Sequence, residues 1–565
     1  MSLKVFQILF CFVVCFSVGR LLAQDADLPL NHEAYHYIDR LDITGATGTT
    51  VHTDYKPYSR AAVAEIFARA DSSFTSGRDR EWFDLMRIAA DDDYADQQTS
   101  KGVFKKLYRN GRDFFSLRKD QFRLYINPIG NLGVGGDQED YTTNANGSEF
   151  LLNYRNTRGV RVRGTAFKRL GFFTEFTENQ WKTPVFMRNQ QATTGVFDGE
   201  NFVKIFDAPT GNPGFDYFNA RGYITYAPAK ELRLKLGKDR AFFGNGYQSL
   251  LLSDHATDYF FLNIQARIWK LEYVSHFTQM TDFIRDKPDS YGVYPRKYAV
   301  FHQLSYKPWD WLSVGAFESV VYSPTLPGGQ RGFELEYMNP IIFYRSVEQS
   351  LGSPDNSMLG LNWKANLLRR FQLYGQIMLD DFNFRNRDLG TGYWGNKYGW
   401  QVGMKYINAF WIPRLDLQLE YNRIRPYTFQ HFNPTANYAH YGQPLAHALG
   451  ANLYDLNLML RYQPFPRWSG SLLFTRLTKG LDLDGANYGG DISIPYTLRV
   501  QDFNNVPGQG SQLNITTLQG RVAYRLLRLD AYAEVEARYR TENEFTSLSV
   551  MGSLRFNLPY RPVRF

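Results

Sequence analysis

Cysteine is almost absent from this chain of 565 residues. There are two, Cys11 and Cys15, both inside the first twenty positions. Beyond them no disulfide, thiolate metal site or cysteine nucleophile is possible. Long apolar runs are also missing. Past the N-terminus no segment approaches the roughly 20 apolar residues of a spanning helix, which excludes a polytopic helical membrane protein. No Lys/Arg tract stands out, so nucleic acid is a poor fit as a partner. No Gly-x-Ser-x-Gly or comparable nucleophile motif occurs. Gly244-Asn245-Gly246 lacks the Lys-Ser/Thr and the following helix of a phosphate loop.

What is abundant points elsewhere. There are 44 Phe, 38 Tyr and 46 Gly, and aromatics reach 16%. Mean hydropathy is nevertheless −0.41. The aromatic content excludes disorder. An aromatic-rich, glycine-rich chain that is polar on average has the composition of a β-barrel with lipid outside and water inside.

The chain begins as a secreted protein does. Lys4 precedes an apolar run from Val5 to Val18, and Leu21-Leu22-Ala23 offers a cut before Gln24. Residues 1–23 read as a signal peptide. The formal charge is +8. Lys4 and Arg20 fall in the removed segment, leaving a mildly basic remainder. That gives a weak bias toward an acidic surface polymer or anionic lipid headgroups.

Two regions separate by periodicity. Residues 24–118 show helical spacing. Tyr35, Ile38 and Leu41 form one stripe. Val63, Ile66, Phe67 and Ala70 form a second, with Ser59 placed to cap its start. Trp82, Leu85, Met86 and Ala89 form a third, and Asp91-Asp92-Asp93 then breaks the pattern. The expectation is a small helical domain of three helices, with core stripes and no chemistry.

Residues 119–565 alternate with period two. Asp530, Tyr532, Glu534, Glu536, Arg538 and Arg540 fall on one face, against Ala531, Ala533, Val535, Ala537 and Tyr539. Segments 413–423 and 231–239 repeat this, with Arg414, Asp416, Gln418, Glu420 and Asn422, and with Glu231, Arg233, Lys235 and Asp239. A lipid-facing barrel with a wet lumen explains both faces. Short polar turns alternate with long connections, such as 239–257, 324–355, 427–452 and 480–512. Three short turns carry Tyr-x-Pro, at Tyr226, Tyr306 and Tyr462, where a missing N–H breaks no ladder bond. The alternation predicts about 18 antiparallel strands, within a range of 16 to 20, with the helical domain on the periplasmic side. Leu548, Val550, Leu554, Phe556 and Leu558 share a face of the last strand, and the chain ends at Phe565. A terminal strand of this kind resembles the assembly signal of bacterial outer-membrane barrels.

Three long loops mix aromatics with planar polar groups, the chemistry that stacks on and hydrogen-bonds a sugar. The first holds Asp239, Arg240 and Tyr247. The second holds Tyr344 and Arg345. The third holds Tyr427, His431, Tyr438, His440, Tyr441, Gln443 and His447. The same composition suits loops that fold back and plug the lumen, their polar groups satisfying one another. His255, His431, His440 and His447 lie at or near these loops, but the spacings of the last three match no ligand motif, so no metal or other cofactor is expected. Asp380-Asp381 and Glu334/Glu336 read as lumen carboxylates rather than acid/base pairs, and no enzyme activity is expected.

At these loops the chain resembles the Wzi family of outer-membrane capsule-assembly proteins. Its Bacteroidetes-type members are the most similar, some of them described as gliding-motility proteins of the RemB type. Segments 239–253, 339–356 and 425–452 carry the resemblance, with Tyr55-Lys56-Pro57-Tyr58-Ser59-Arg60 near the start. The resemblance implies an 18-stranded barrel with a periplasmic helical part. It also implies a lectin-like role holding capsular or exopolysaccharide at the cell surface. The expected setting is a monomer in the lipid of a Gram-negative outer membrane. The alternative is a component of surface adhesion or gliding motility, with the helical domain docking a periplasmic or envelope partner. A diffusion porin would require an open lumen.

Overall fold

The computed structural model describes residues 26–48, 51–71, 77–98, 108, 112–139, 150–194, 196–207, 212–282, 294–326, 329–339, 355–381, 389–526 and 530–564. Residues 1–25, which include both cysteines and the expected signal peptide, and the Tyr344 and Arg345 loop lie outside them.

Eighteen antiparallel strands close into a barrel. Closure is made by the last strand, Phe545–Phe556, pairing with the first wall strand, Phe122–Glu139, in the register Phe556↔Gly130 to Ser547↔Glu139. A short strand, Phe115–Lys119, extends the wall beside Phe122–Ile126. Period-two patterning places the side chains as the sequence predicts. Val535 and Tyr539 face outward and are exposed, while Glu534, Arg538 and Arg540 face inward and are buried. Leu419 points out, and Asp416, Gln418, Glu420 and Asn422 point in. Aromatics crowd the end with the short turns: Phe167, Trp269, Trp309, Trp311, Phe410, Trp411, Phe465 and Trp468 are all exposed there. That is where an aromatic girdle meets the membrane interface.

The three Tyr-x-Pro motifs lie not in the turns but within the last residues of their strands. Register shifts fall between Tyr226 and Ala229, Tyr306 and Trp309, and Tyr462 and Phe465. Each proline sits at a β-bulge, where an unpaired residue absorbs the missing donor.

The helical region has helices at Ala34–Ile43, Arg60–Ala70 and Gly77–Ala90, and a fourth at Asp92–Asp96. Ser59 Oγ accepts from the Ala62 amide at 3.2 Å, as the cap reading predicts. Asp91 does not end the pattern: its carboxylate accepts from Tyr94 N at 3.1 Å and caps the fourth helix. Of the predicted stripes, Ile38, Leu41, Val63, Ile66, Phe67, Ala70, Trp82, Leu85 and Met86 are buried in one core; Tyr37 and Phe83 join it, and Tyr35 packs against it only partly buried.

This domain is not a separate body. It is seated in the short-turn half of the lumen by ion pairs to the wall. Asp42 reaches Lys364 at 2.7 Å and Lys307 at 3.4 Å. Asp27 reaches Arg233 at 2.6 Å and Lys235 at 2.9 Å. Asp92 meets Arg163 at 2.6 Å, and Asp39 meets Lys405 at 2.6 Å. Burial alone would raise the Asp42 carboxyl, but the Lys364 and Lys307 ammoniums outweigh it and hold the group below the usual carboxylate range.

The C-terminus departs from expectation. Leu548, Val550, Leu554 and Phe556 do face outward, but the strand ends at Phe556. Asn557 takes a left-handed conformation (φ 51°), which Asn tolerates, and Leu558 leaves the sheet. The tail turns into the lumen. Tyr560 donates to Glu536 and accepts from Gln519, both at 2.7 Å. Arg561 binds Glu200 at 3.0 Å, and Arg564 binds Asp254 at 2.8 Å.

Candidate functional site

The long-loop end of the barrel is filled by its own loops. The segment after strand Leu232–Asp239 drops inward and pairs Phe242–Phe243 with Tyr55–Lys56 of the helical domain. The two fillings therefore meet inside the barrel. Gly244 lies where this backbone crosses the wall. A Cβ there would fall 2.2 Å from Gln376 Nε2, and φ is +128°, so glycine is required on both counts. Beyond it Leu250, Leu251 and Leu252 are fully buried with Phe243, Phe317, Phe429, Tyr438 and Leu445.

Most of the residues with sugar-binding chemistry hold this plug together. Asp239 takes Lys235 at 3.1 Å and Arg221 at 3.3 Å. Arg240 donates to Asp258 at 2.7 Å and to Gly199 O at 2.6 Å. The Tyr427 hydroxyl donates to Asn487 O at 3.1 Å, and the Tyr438 hydroxyl to Leu251 O at 2.5 Å. Gln443 Oε1 accepts from the Gly199 and Thr257 amides at 3.0 Å each, and its Nε2 donates to Glu200 O at 2.7 Å. His440 Nδ1 accepts from Thr281 N at 3.0 Å. His447 lies 3.3 Å from Asp455, and His431 Nδ1 accepts from Asn433 N at 3.2 Å. Burial pulls both His431 and His440 down to about 4, so both are neutral at pH 7. Tyr247 and Tyr441 are half-buried: Tyr247 faces the Arg564 guanidinium, and Tyr441 packs edge-on to Tyr294. Among the described residues no group of three or more His, Asp or Glu is arranged to hold a metal ion.

A different set of aromatics lies on top. Trp394 and Tyr496 pack with ring centres 5.0 Å apart, Phe432 stands 6.4 Å from Tyr496, and Tyr393 packs on Phe503 at 5.5 Å. Phe503 is 47% exposed and Phe432 41%, against 0% for Tyr427 and Tyr438. The Arg499 guanidinium covers Trp394 at 4.1 Å and pairs with Asp502 at 2.6 Å. The segments beneath are stiff. Asp482 accepts from the amides of Tyr488, Gly490 and Asp491 at 2.6, 3.3 and 3.1 Å. Asn452 ties three stretches, donating to Gly480 O and Gln509 O and accepting from Gly508 N. The sequence places 384–395 and 480–512 in long connections, but nothing local distinguishes their aromatics from buried ones.

A family model of the capsule assembly protein Wzi matches residues 210–543. The chain belongs to the Wzi capsule-assembly family. The matched segment holds most of the wall, the plug loops and the Tyr496–Phe503 stretch. Among solved structures the chain is similar to Wzi of Escherichia coli, described as a carbohydrate-binding outer-membrane β-barrel involved in group 1 capsule assembly. The TM-score is 0.55 at 13% identity, covering 95% of this chain and 100% of that one. At that identity the likeness is one of fold. OprD and OccK8 of Pseudomonas aeruginosa align at TM-scores of 0.40 and 0.41, with 10% and 7% identity, over 76% of this chain and 94% and 97% of theirs. No curated protein sequence matches the chain. This Wzi-family chain is thus an outer-membrane barrel filled from both ends, with an aromatic surface above the loop plug.

Proposed function

We propose that this Wzi-family barrel is a non-enzymatic lectin that holds capsular or exopolysaccharide at the cell surface. In this reading residues 1–23 are a cleaved signal peptide. Residues 24–118 form a domain on the periplasmic side, and the barrel of 119–565 works as a monomer with its long loops outside. The observation that carries the reading is an aromatic set on hydrogen-bonded loops, with Phe432 and Phe503 exposed and Trp394 and Tyr496 half-buried beside them. Flat apolar faces stack on sugar rings, and pre-ordered segments lose little entropy on binding. The solved E. coli relative, described as carbohydrate-binding, supports the same ligand class.

The residues proposed to touch glycan are these four, with Arg499 beside them. The buried set around Tyr427, Tyr438, Gln443 and His447 keeps the surface in place. A deletion strain tests the role: cell-bound and medium-released polysaccharide are compared at equal total production. A shift from bound to released is expected, and no shift sinks the anchoring role. On purified barrel, Trp394→Ala and Tyr496→Ala should each weaken glycan binding about tenfold or more. Unchanged binding in both would place the site elsewhere.

A further inference from the structure

The two fillings leave a cavity of about 280 Å³ on the helical side of the lumen. It lies between helix Ala34–Ile43 and wall strands Leu415–Ile424, Leu453–Phe465 and Trp468–Leu481, and Tyr560, Pro562 and Arg564 of the tail roof it. Its size is near the lower end of small-molecule sites.

The charges around it do not cancel. Of its lining carboxylates, Asp416 pairs with Arg40, Asp39 with Lys405 and Asp254 with Arg564. Glu33 stands 3.8 Å from Arg521, which also holds Glu534 at 2.5 Å. Arg414, another lining cation, pairs with Asp79. Two cations remain with neutral partners among the described residues. Arg461 Nη1 donates to Gln418 Oε1 at 3.2 Å, and Lys56 Nζ to Gly244 O at 3.3 Å. Ser469, Ser471 and Gln463 add two hydroxyls and an amide on the same lining, and all three are half-buried. Asp39, already paired with Lys405, is the nearest carboxylate to act on both, so the lining keeps an excess of positive charge that an anion would balance. Hydroxyl and amide groups beside them suit a polyhydroxylated one, and the volume exceeds what a bare inorganic anion fills.

We propose that this cavity binds an acidic saccharide unit, with its carboxylate between Arg461 and Lys56 and its hydroxyls toward Ser469, Ser471 and Gln463. The cavity is separate from the aromatic surface, and K230M, at an exposed turn lysine outside the lining, serves as a control.

The full chain in detergent is titrated calorimetrically with methyl β-D-glucuronide, with methyl β-D-glucoside as the ring without the charge, and with inorganic phosphate as the charge without the ring. Saturable 1:1 binding of the glucuronide is expected, with the glucoside and phosphate each at least tenfold weaker. R461Q and K56M should each weaken the glucuronide at least tenfold, and K230M should leave it unchanged. A second measurement uses only the wild type. Burial, partly offset by Asp39, brings the Lys56 amine down to about 8, so it can be acetylated under mild conditions. The glucuronide should protect it and the glucoside should not. No glucuronide binding, equal binding of glucuronide and glucoside, equal binding of phosphate, or absence of protection overturns the proposal.

Discussion

The two ends of the lumen are filled by different chemistry. The helical domain is held by buried ion pairs to strands far apart around the wall: Asp27 to Arg233 and Lys235, Asp42 to Lys307 and Lys364, and Asp92 to Arg163. The loop plug adds to ion pairs such as Arg240 to Asp258 a dry cluster, Leu250 to Leu252 with Phe429, Tyr438 and Leu445, and neutral amide and imidazole hydrogen bonds. A preformed domain has already buried its apolar stripes against itself. Its outer face is polar, so charge complementarity must seat it. A loop has no core of its own, so it borrows one from its neighbours and the wall.

The contrast can be broken most strongly at Asp42. Asp42→Ala leaves Lys307 and Lys364 buried without their anion, and a loss of about 3–5 kcal/mol is expected. Thermal unfolding of the purified barrel reads it, with protease cleavage between the helices. A melting midpoint equal to wild type would mean that the ion pairs do not seat the domain.

Next comes the apolar plug. Leu251→Ala should cost about 2–5 kcal/mol through the lost burial and the cavity left behind. The damage should stay local: loop segments near 254–258 and 434–450 become cleavable while the heat-resistant barrel persists. Loss of the barrel itself would show that loops and wall fold as one unit.

Acid should act on both ends. His431 and His440 are held at about 4 in the folded plug, against 6.5 when released. Protons therefore bind the released loops more readily, and the plug loses stability as pH falls from about 6.5 to about 4. The Asp27 and Asp42 carboxyls lose stability in the same direction but at lower pH: burial would raise them, but their cationic partners hold them low. Their contribution is complete above the unfolded value of about 3.9 and is lost only below it. Burial also holds His32 of the helical domain at about 4 and lowers His36 and His52. In the plug, burial would raise Asp254 and Asp258, but Arg564 and Arg240 hold them low. Hydrogen exchange at pH 7, 5 and 3 should therefore show protection falling in both fillings together. Loss confined to one filling would undo this reading.

The smallest effect is expected at the tail. Deleting residues 558–565 leaves the pairing of Phe545–Phe556 with the first wall strand intact, so assembly into the membrane should be retained. Loops around Glu200 and Asp254 lose Arg561 and Arg564 and should become modestly more cleavable. Phe556→Ala should lower assembled protein more than the deletion does. A barrel that fails to assemble without its tail would return the terminal signal to Phe565.

Much of the fold was legible in the order of residues. Alternation in 531–540 and 415–424 is a local property of a strand between lipid and water, so wall, strand count and loop positions could be read directly. The helical stripes could be read too, because Ile38, Val63 and Trp82 share one core within the helical domain. The Tyr-x-Pro motifs were visible, but a bulge and a turn tolerate proline for the same reason, and local sequence does not separate them. The candidate site was legible only as chemistry. The loops with aromatics and amides were found, yet whether Tyr438 or Tyr496 meets solvent depends on what lies above it.

The sequence by itself determined the barrel, the helical domain and the positions of the long connections, because each rests on periodicity or composition within a few residues. Only the tertiary structure decided which loop aromatics are core and which are surface, where the last strand stops, and which cations keep a carboxylate. Those outcomes rest on contacts such as Gln443 to Gly199, 244 residues apart, and Arg564 to Asp254, 310 apart. A side chain's partner at such separation is set by barrel closure, which no local pattern encodes.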